Sequence, residues 1–300
     1  MAIAGIGQRW VAERLPERPA RAHKGTFGSV LVVAGSREYA GAALLAGLGA
    51  ARGGAGLVTV ATSESVGTAL LGQIPELTMM LLDEEAPGLL APGGWRRVAS
   101  EARRFDAVVV GPGIGRLAAT LRRVRGFIAG LEQPVVVDAD ALNALAEQDG
   151  WWRRAPERLV LTPHPGEFAR LTRRAAGDPL PDDDEARAAA VREAAVRWRR
   201  VVVLKGANTV VADADGSLRR AQIATPSLAT AGSGDVLAGI AGAFLAGGLE
   251  PFTAACCAVA VHGAAGLLAE ERIGRAGVMA RDIAGLVPAA MEQLRGDRGR

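Results

Sequence analysis

The chain has 300 residues, 49% of them hydrophobic and only 4% aromatic, with a formal net charge of +3. That is enough apolar chain for one large α/β domain or two smaller ones. The charge is too small to mark a nucleic-acid binder, and paired arginines such as Arg96-Arg97 and Arg122-Arg123 read as solvated helix faces.

Met1 to Arg21 is rich in Arg and Pro and has no sustained apolar stretch, so no signal peptide is expected and the segment reads as a poorly ordered extension. Short, mostly β-branched runs follow at Val30–Val33, Leu57–Val60, Val108–Val110, Val135–Val137, Leu159–Leu161 and Val201–Leu204. Most lack polar alternation, as parallel strands buried on both faces do. Helical stretches separate them, including Ala40–Arg52, Leu117–Leu131, Ala141–Gln148 and Glu185–Arg199. The acids of Pro179–Glu185 read as a loop serving a helix N-terminus. The order predicts βαβ units and a doubly wound sheet.

Thr209–Ala212 and Leu218–Ile223, joined by Asp213-Ala-Asp-Gly216, predict a hairpin. Helices are expected at Asp235–Gly247, Pro251–Glu271 and Met279–Leu294, before an Arg-rich tail, 295–300, expected to fray. The most apolar window, Pro251–Leu268, holds His262 and two glycines and reads as a buried helix, not a membrane span. Within it, Cys256 and Cys257 are adjacent and lack metal-ligand spacing. They read as small buried hydrophobes of a reduced, cytoplasmic protein.

Ligands of open parallel sheets bind beyond the carboxyl ends of the strands. Unusual sequences stand at those ends. Ala229-Thr-Ala-Gly-Ser-Gly-Asp-Val-Leu-Ala-Gly239 hands Asp235 to the first turn of an apolar helix. Amides there can hold an anion, and the carboxylate can take a proton from a hydroxyl. Gly232, Ser233 and Gly234 are the candidate anion hole for phosphoryl transfer. A capped helix start is the bland alternative. A helix N-terminus lowers a carboxylate's pKa, so Asp235 is expected to be a weak ground-state base.

Lysine occurs only at Lys24 and Lys205, each before a glycine, as if a slim ammonium were needed there. Lys205-Gly-Ala-Asn-Thr209 ends a strand, and its ammonium and open amides suit phosphate. No Walker A sequence is present. Thr162-Pro-His-Pro-Gly-Glu167 holds His164 between prolines as a ligand contact, with Glu167 in the next helix's first turn. Asp138 and Asp140 end another strand, with Asn143 a turn later; Asp140 reads more readily as an N-cap than as a magnesium or water contact. Gly111-Pro-Gly-Ile-Gly115 lets the backbone approach a ligand. His23–Gly28, Gly35-Ser36 and Gly41-Ala42-Ala43 accept either a flat ring or close helix packing.

Taken together, from about Ala22 to Met291, these motifs resemble the ribokinase-like superfamily. More narrowly, the chain resembles the ADP/ATP-dependent NAD(P)H-hydrate dehydratases. Thr-Pro-His-Pro-Gly-Glu at 162–167 is the more specific signature and Gly-Ser-Gly-Asp at 232–235 the more general. One departure is Ala231, where relatives often carry a second glycine. It is tolerable where no positive φ is needed.

The resemblance implies a ribokinase-like three-layer α/β/α fold, with helices on both faces of a mostly parallel sheet, and one domain over 1–300. With only 22 residues before His23, no fused N-terminal epimerase domain is expected. The implied reaction returns the S-form of hydrated NADH or NADPH to NAD(P)H, driven by ADP or ATP with magnesium. The resemblance makes Asp235 catalytic. It gives the nucleotide to Lys205, Gly206, Ala207, Asn208, Thr209 and Gly234, and the hydrated dinucleotide to Ala42, Ala43, Gly113, His164 and Asp235. Asp138, Asn143, Glu167 and Lys24 would support them, with no direct protein ligand to the metal. It also implies a tetramer, served by a separate epimerase, without membrane or nucleic-acid partners.

A small-molecule kinase for a hydroxymethylpyrimidine or thiazole alcohol would share the Gly-Ser-Gly-Asp turn. A non-catalytic nucleotide sensor would be expected to lack Asp235. The histidine-proline motif speaks against the first and Asp235 against the second.

Overall fold

The computed structural model describes residues 3–173 and 183–296. In chain order its elements are β1 (Ala4–Gly5), α1 (Gln8–Ala12), β2 (Ser29–Val33), α2 (Ala40–Arg52), β3 (Leu57–Ser63), α3 (Glu64–Leu70), β4 (Thr78–Leu82), β5 (Glu84–Ala86), β6 (Leu89–Leu90), α4 (Pro92–Ala102), β7 (Ala107–Val110) and α5 (Ala118–Ala129). They continue with β8 (Val135–Val137), α6 (Ala139–Ala146), β9 (Leu159–Leu161), α7 (Pro165–Thr172), α8 (Asp184–Trp198), β10 (Val201–Leu204), β11 (Val210–Ala212), β12 (Leu218–Arg220), α9 (Ser233–Ala246), α10 (Pro251–Ile273) and α11 (Ala280–Arg295).

Ten strands form one sheet in the order β1-β12-β11-β10-β9-β8-β7-β2-β3-β4, while β5 and β6 form a separate small hairpin. Every neighbouring pair in the large sheet is parallel except β10 with β11 and β11 with β12. Alternate side chains of the all-apolar strands feed two cores. Val30, Val32, Val109, Val136 and Val160 pack with α2, α9, α10 and α11. Leu31, Val33, Val108, Val110, Val137 and Leu161 pack with α4 to α8 on the other face. This is the three-layer α/β/α arrangement expected from the sequence.

Two features depart from the sequence expectations, at the N-terminus and at the sheet edge, while the acidic loop before α8 does what was expected of it. The segment before Arg21 carries β1, which pairs with β12, and α1, whose Val11 is fully buried. An apolar anchor thus orders a stretch whose composition argues for coil. Thr78–Leu82 adds the edge strand β4, paired to β3. Its Thr-Met-Met-Leu-Leu run becomes extended because β3 offers it a free edge. Asp183 caps α8 by accepting from Ala186 N at 2.7 Å. The rest of the acidic loop, 179–182, and the tail at 297–300 lie outside the described residues.

Helix α10 is long and apolar enough to cross a membrane, yet most of its apolar window is packed inside the fold. Cys256 and Cys257 lie in it, both buried and unpaired with each other. The order of strands reverses between β7 and β2, so the sheet has its switch point there. The loops after these two strands meet where Gly35 N donates to Pro112 O at 2.9 Å. A crevice at such a point is where an open α/β sheet takes its ligand.

Candidate active site

The carboxyl ends of β8, β9 and β10 bring three predicted side chains together. Lys205 Nζ donates to Asp138 Oδ1 at 2.7 Å and stands 3.9 Å from Glu167 Oε2. Thr162 Oγ1, not expected from the sequence, donates to the same Asp138 oxygen at 2.8 Å. Asp138 and Glu167 are both buried. Burial pulls the Lys205 pKa down, but Asp138, Glu167 and Asp235 more than offset it, so the ammonium is held above its ordinary value. Burial raises Glu167 despite Lys205.

Helix α9 delivers the fourth group. Its N-cap is Gly232 in the left-handed region at φ 86°, while Ala231 keeps a negative φ, so the departure at Ala231 costs no strain. Gly234 has to be small, because a Cβ there would stand 3.1 Å from Lys205 Nζ and 4.0 Å from Asp138 Oδ2. Ser233 N is already bonded to Thr230 O at 3.2 Å. Among the described residues, the N–H groups of Gly232, Gly234 and Asp235 have no acceptor. The free donors are therefore those three, and Ser233 is corrected to a structural role. Its hydroxyl meets His262 Nε2 at 3.0 Å.

Asp235 corrects the expectation of a depressed pKa. Burial, then Asp138 nearby, raise its carboxyl to about 7, although Lys205 opposes them. Desolvation outweighs the helix N-terminus here. The carboxylate is thereby poised near neutral pH, where general-base work is most effective.

Beside this cluster lies a cavity of about 620 Å³. Expected residues lining it are His164, Lys205, Gly206, Ala207, Thr209, Ser233 and Gly234. Ile223, Thr225, Leu228, Leu237 and His262 are among its other lining residues, and the sequence reading assigned none of these five to the site. Apolar side chains around a few polar groups suit a base and ribose with phosphates at one end. Asn208 does not join them. It has φ 54°, and its side chain donates to Asp184 Oδ2 at 2.9 Å, so it shapes the loop and faces α8.

His164 is the N-cap of α7, accepting from Gly166 N through Nδ1 at 3.0 Å, with Nε2 3.4 Å from Glu167 Oε1. Burial, then Lys205 nearby, lower its pKa, so the imidazole is neutral at pH 7. Gly113, at φ 59°, abuts Tyr39 and Ala42, where an added Cβ would meet theirs at 2.6 and 2.9 Å. Ala43 is fully buried against Gly35, so of the alanine pair only Ala42 offers surface to a ligand.

Asp140 is not the N-cap of α6; that place belongs to Asp138. Its carboxylate instead holds Gly115 N at 3.1 Å and Asn143 Nδ2 at 3.3 Å. Lys24 lies at the other end of the strands, with its carbonyl packed on Gly56 just before β3. The His23–Gly28 turn there is close packing, since a Cβ on Gly28 would strike Ala246 O at the far end of α9.

A family model described as NAD(P)H-hydrate dehydratase matches residues 30–289. The chain belongs to the NAD(P)H-hydrate dehydratase family. It is 34% identical to the ADP-dependent (S)-NAD(P)H-hydrate dehydratase of Bacillus subtilis, over 95% of this chain and 96% of that one. It is 39% identical to a bifunctional NAD(P)H-hydrate repair enzyme of Moorella thermoacetica, over 95% of this chain but 53% of the relative. The chain thus spans about half the length of the bifunctional repair enzymes it matches. The crystal structure of the Bacillus subtilis ADP/ATP-dependent NAD(P)H-hydrate dehydratase, co-crystallised with ATP and magnesium, superposes with a TM-score of 0.83. That pair shares 32% identity and covers 98% and 99% of the two chains. The dehydratase fold therefore extends over nearly the whole chain.

Proposed function

We propose that the protein dehydrates the S-form of hydrated NADH or NADPH to NAD(P)H, using ADP or ATP as phosphoryl donor. The observation that carries this reading is the half-buried Asp235 carboxyl, raised to about 7, on a helix whose free amides adjoin the Lys205-lined cavity.

The hydroxyl of the hydrated ring is a poor leaving group. Asp235 takes its proton as the oxygen attacks the terminal phosphorus of the nucleotide. The amides of Gly232, Gly234 and Asp235 and the Lys205 ammonium stabilise charge on the phosphoryl oxygens. The ring nitrogen's lone pair then expels phosphate, and the neighbouring ring carbon loses a proton to restore the dihydropyridine. The adenosine portion would occupy the apolar cavity, and the hydrated ring the side bounded by Ala42, Gly113 and His164.

Among the described residues no three of His, Cys, Asp or Glu converge on a cation position. Three carboxylates around one ammonium still leave excess negative charge, which suits a hydrated magnesium carried on the nucleotide. When bound, magnesium neutralises charge on the transferring phosphoryl group. We further read the chain as one dehydratase domain of a cytoplasmic homotetramer, supplied by a separate epimerase. The buried, unpaired cysteines agree with a reducing compartment.

The test is recovery of reduced-nicotinamide absorbance from chemically hydrated NADPH in the presence of nucleotide and magnesium. Recovery matched by nucleotide hydrolysis is expected. No recovery, with a phosphorylated product from hydroxymethylpyrimidine or thiazole alcohol, would replace the reading with a small-molecule kinase.

A further inference from the structure

The wall of the large cavity between Ile223 and Thr230 has little regular structure of its own. Its one ordered turn is a 3-10 helix at Pro226–Leu228, with Thr225 as N-cap. Helix α10 holds this wall in two ways. Gly263 and Gly266 form a notch for apolar side chains, because a Cβ at either would stand 2.4 Å from Ile223 and Leu228 respectively. One turn further along the same helix face, Glu270 ends the notch with a carboxylate. Its Oε2 accepts from the Thr225 hydroxyl and, at 3.4 Å, from the Ser227 hydroxyl. Its Oε1 accepts from Arg275 Nε at 2.8 Å.

Thr225 joins the two sides. It lines the cavity, whereas Ser227 and Glu270 stand behind it. Ser227 N donates to Thr225 Oγ1 at 3.2 Å, while the hydroxyl proton of Thr225 goes to Glu270. The threonine oxygen is thus committed to the latch and not to a ligand. A carboxylate acceptor makes such a bond stronger than a neutral one would. The Thr225 bond is also the foremost reason that the Glu270 carboxyl is held below its ordinary range. The Arg275 side chain is 83% exposed, so its ion pair adds little, and the two hydroxyls are what the carboxylate chiefly serves.

We propose that Glu270 is a positioning residue for the nucleotide. Through Thr225 and Ser227 it latches the Ile223–Leu228 wall to α10 in the shape that receives ADP or ATP. The inference rests on the dehydratase reading, which puts the nucleotide in this cavity. A wall ordered before the ligand arrives removes the cost of ordering it from the binding step.

The test titrates ADP and ATP, each with magnesium, into the wild-type chain and its variants by calorimetry, and follows turnover of the hydrate. Glu270→Ala should weaken both nucleotides about ten-fold. Its KM for nucleotide should rise in step, with kcat and the KM for hydrate within about two-fold of wild type. Glu270→Gln keeps an oxygen acceptor for both hydroxyls and should restore most of the affinity. Thr225→Val removes the same bond from the other end, so the double variant with Glu270→Ala should lose little more than either single one. Unchanged nucleotide affinity in Glu270→Ala, with only a lower melting temperature, would reduce the carboxylate to a general strut and overturn the inference. Additive losses, or Glu270→Gln as weak as Glu270→Ala, would overturn it too. A wild-type protein whose nucleotide affinity depends on Glu270 but which restores no hydrate would overturn the dehydratase reading and leave this inference standing.

Discussion

Lys205 Nζ lies 2.7 Å from Asp138 Oδ1, joining two strand ends 67 positions apart in the chain. The pair is buried on the carboxylate side, where Thr162 adds a hydroxyl donor to Asp138. Glu167 and Asp235 crowd the same ammonium, so the lysine is a structural counter-ion as well as the cation we propose to meet phosphate.

Removing the lysine should therefore cost stability as well as activity. Lys205→Met leaves Asp138 as a buried, uncompensated charge, and breaking such a pair costs about 3 kcal/mol. Urea unfolding at pH 7 measures it. Adding Asp138→Asn to that variant should recover part of the loss, and no recovery would mean that the pair is not what holds these strand ends together.

Asp235→Asn should lower kcat by on the order of a hundred-fold or more, with a smaller effect on the KM of either substrate. In the wild type, log kcat/KM should fall as pH drops below about 7, because the base must be ionised. The kcat profile should fall at lower pH, since cationic magnesium in the complex favours the carboxylate. An acidic limb unmoved by Asp235→Asn would assign it to another group.

The same carboxyl should weaken the fold above neutral pH. Its folded pKa of about 7 is above the ordinary 3.8, so the folded state holds the proton more tightly. Its penalty to stability appears as pH rises from about 4 and is complete above about 7. Asp235→Asn should accordingly unfold at higher urea than wild type at pH 8, with the difference shrinking at pH 5. Equal midpoints at pH 8 would contradict the raised pKa.

His262 pulls stability the other way. Burial lowers its pKa to about 4, below the ordinary 6.5, so it is neutral in the fold. Stability from this group is present above about 6.5 and is lost as pH falls towards 4. His262→Leu should remove that acid sensitivity. It also strands the Ser233 hydroxyl at a cost of about 1–3 kcal/mol. A parallel fall in nucleotide affinity is expected, because both side chains line the cavity.

Much of the site was legible because each chemical group sits at the end of a β-branched run. Asp138 follows Val135–Val137, His164 follows Leu159–Leu161 and Lys205 follows Val201–Leu204. In a parallel sheet those positions converge. His262 was less legible. It looked like one polar residue within an apolar helix, and only the packing of α10 against α9 turns it towards Ser233. Lys24 misled for the opposite reason, since rarity marks a residue without saying at which end of the sheet it falls.

The alternation of apolar strands and helices was enough to determine the doubly wound class, and the glycine turn was enough to put Asp235 at a helix start. Both follow from local rules of period and backbone freedom. Tertiary structure alone decided the ionisation of Asp235, the burial of Ala43, the outward turn of Asn208 and the commitment of Ser233 N. Desolvation and hydrogen-bond partnership depend on neighbours far along the chain, and those neighbours exist only once the sheet has closed over its two layers of helices.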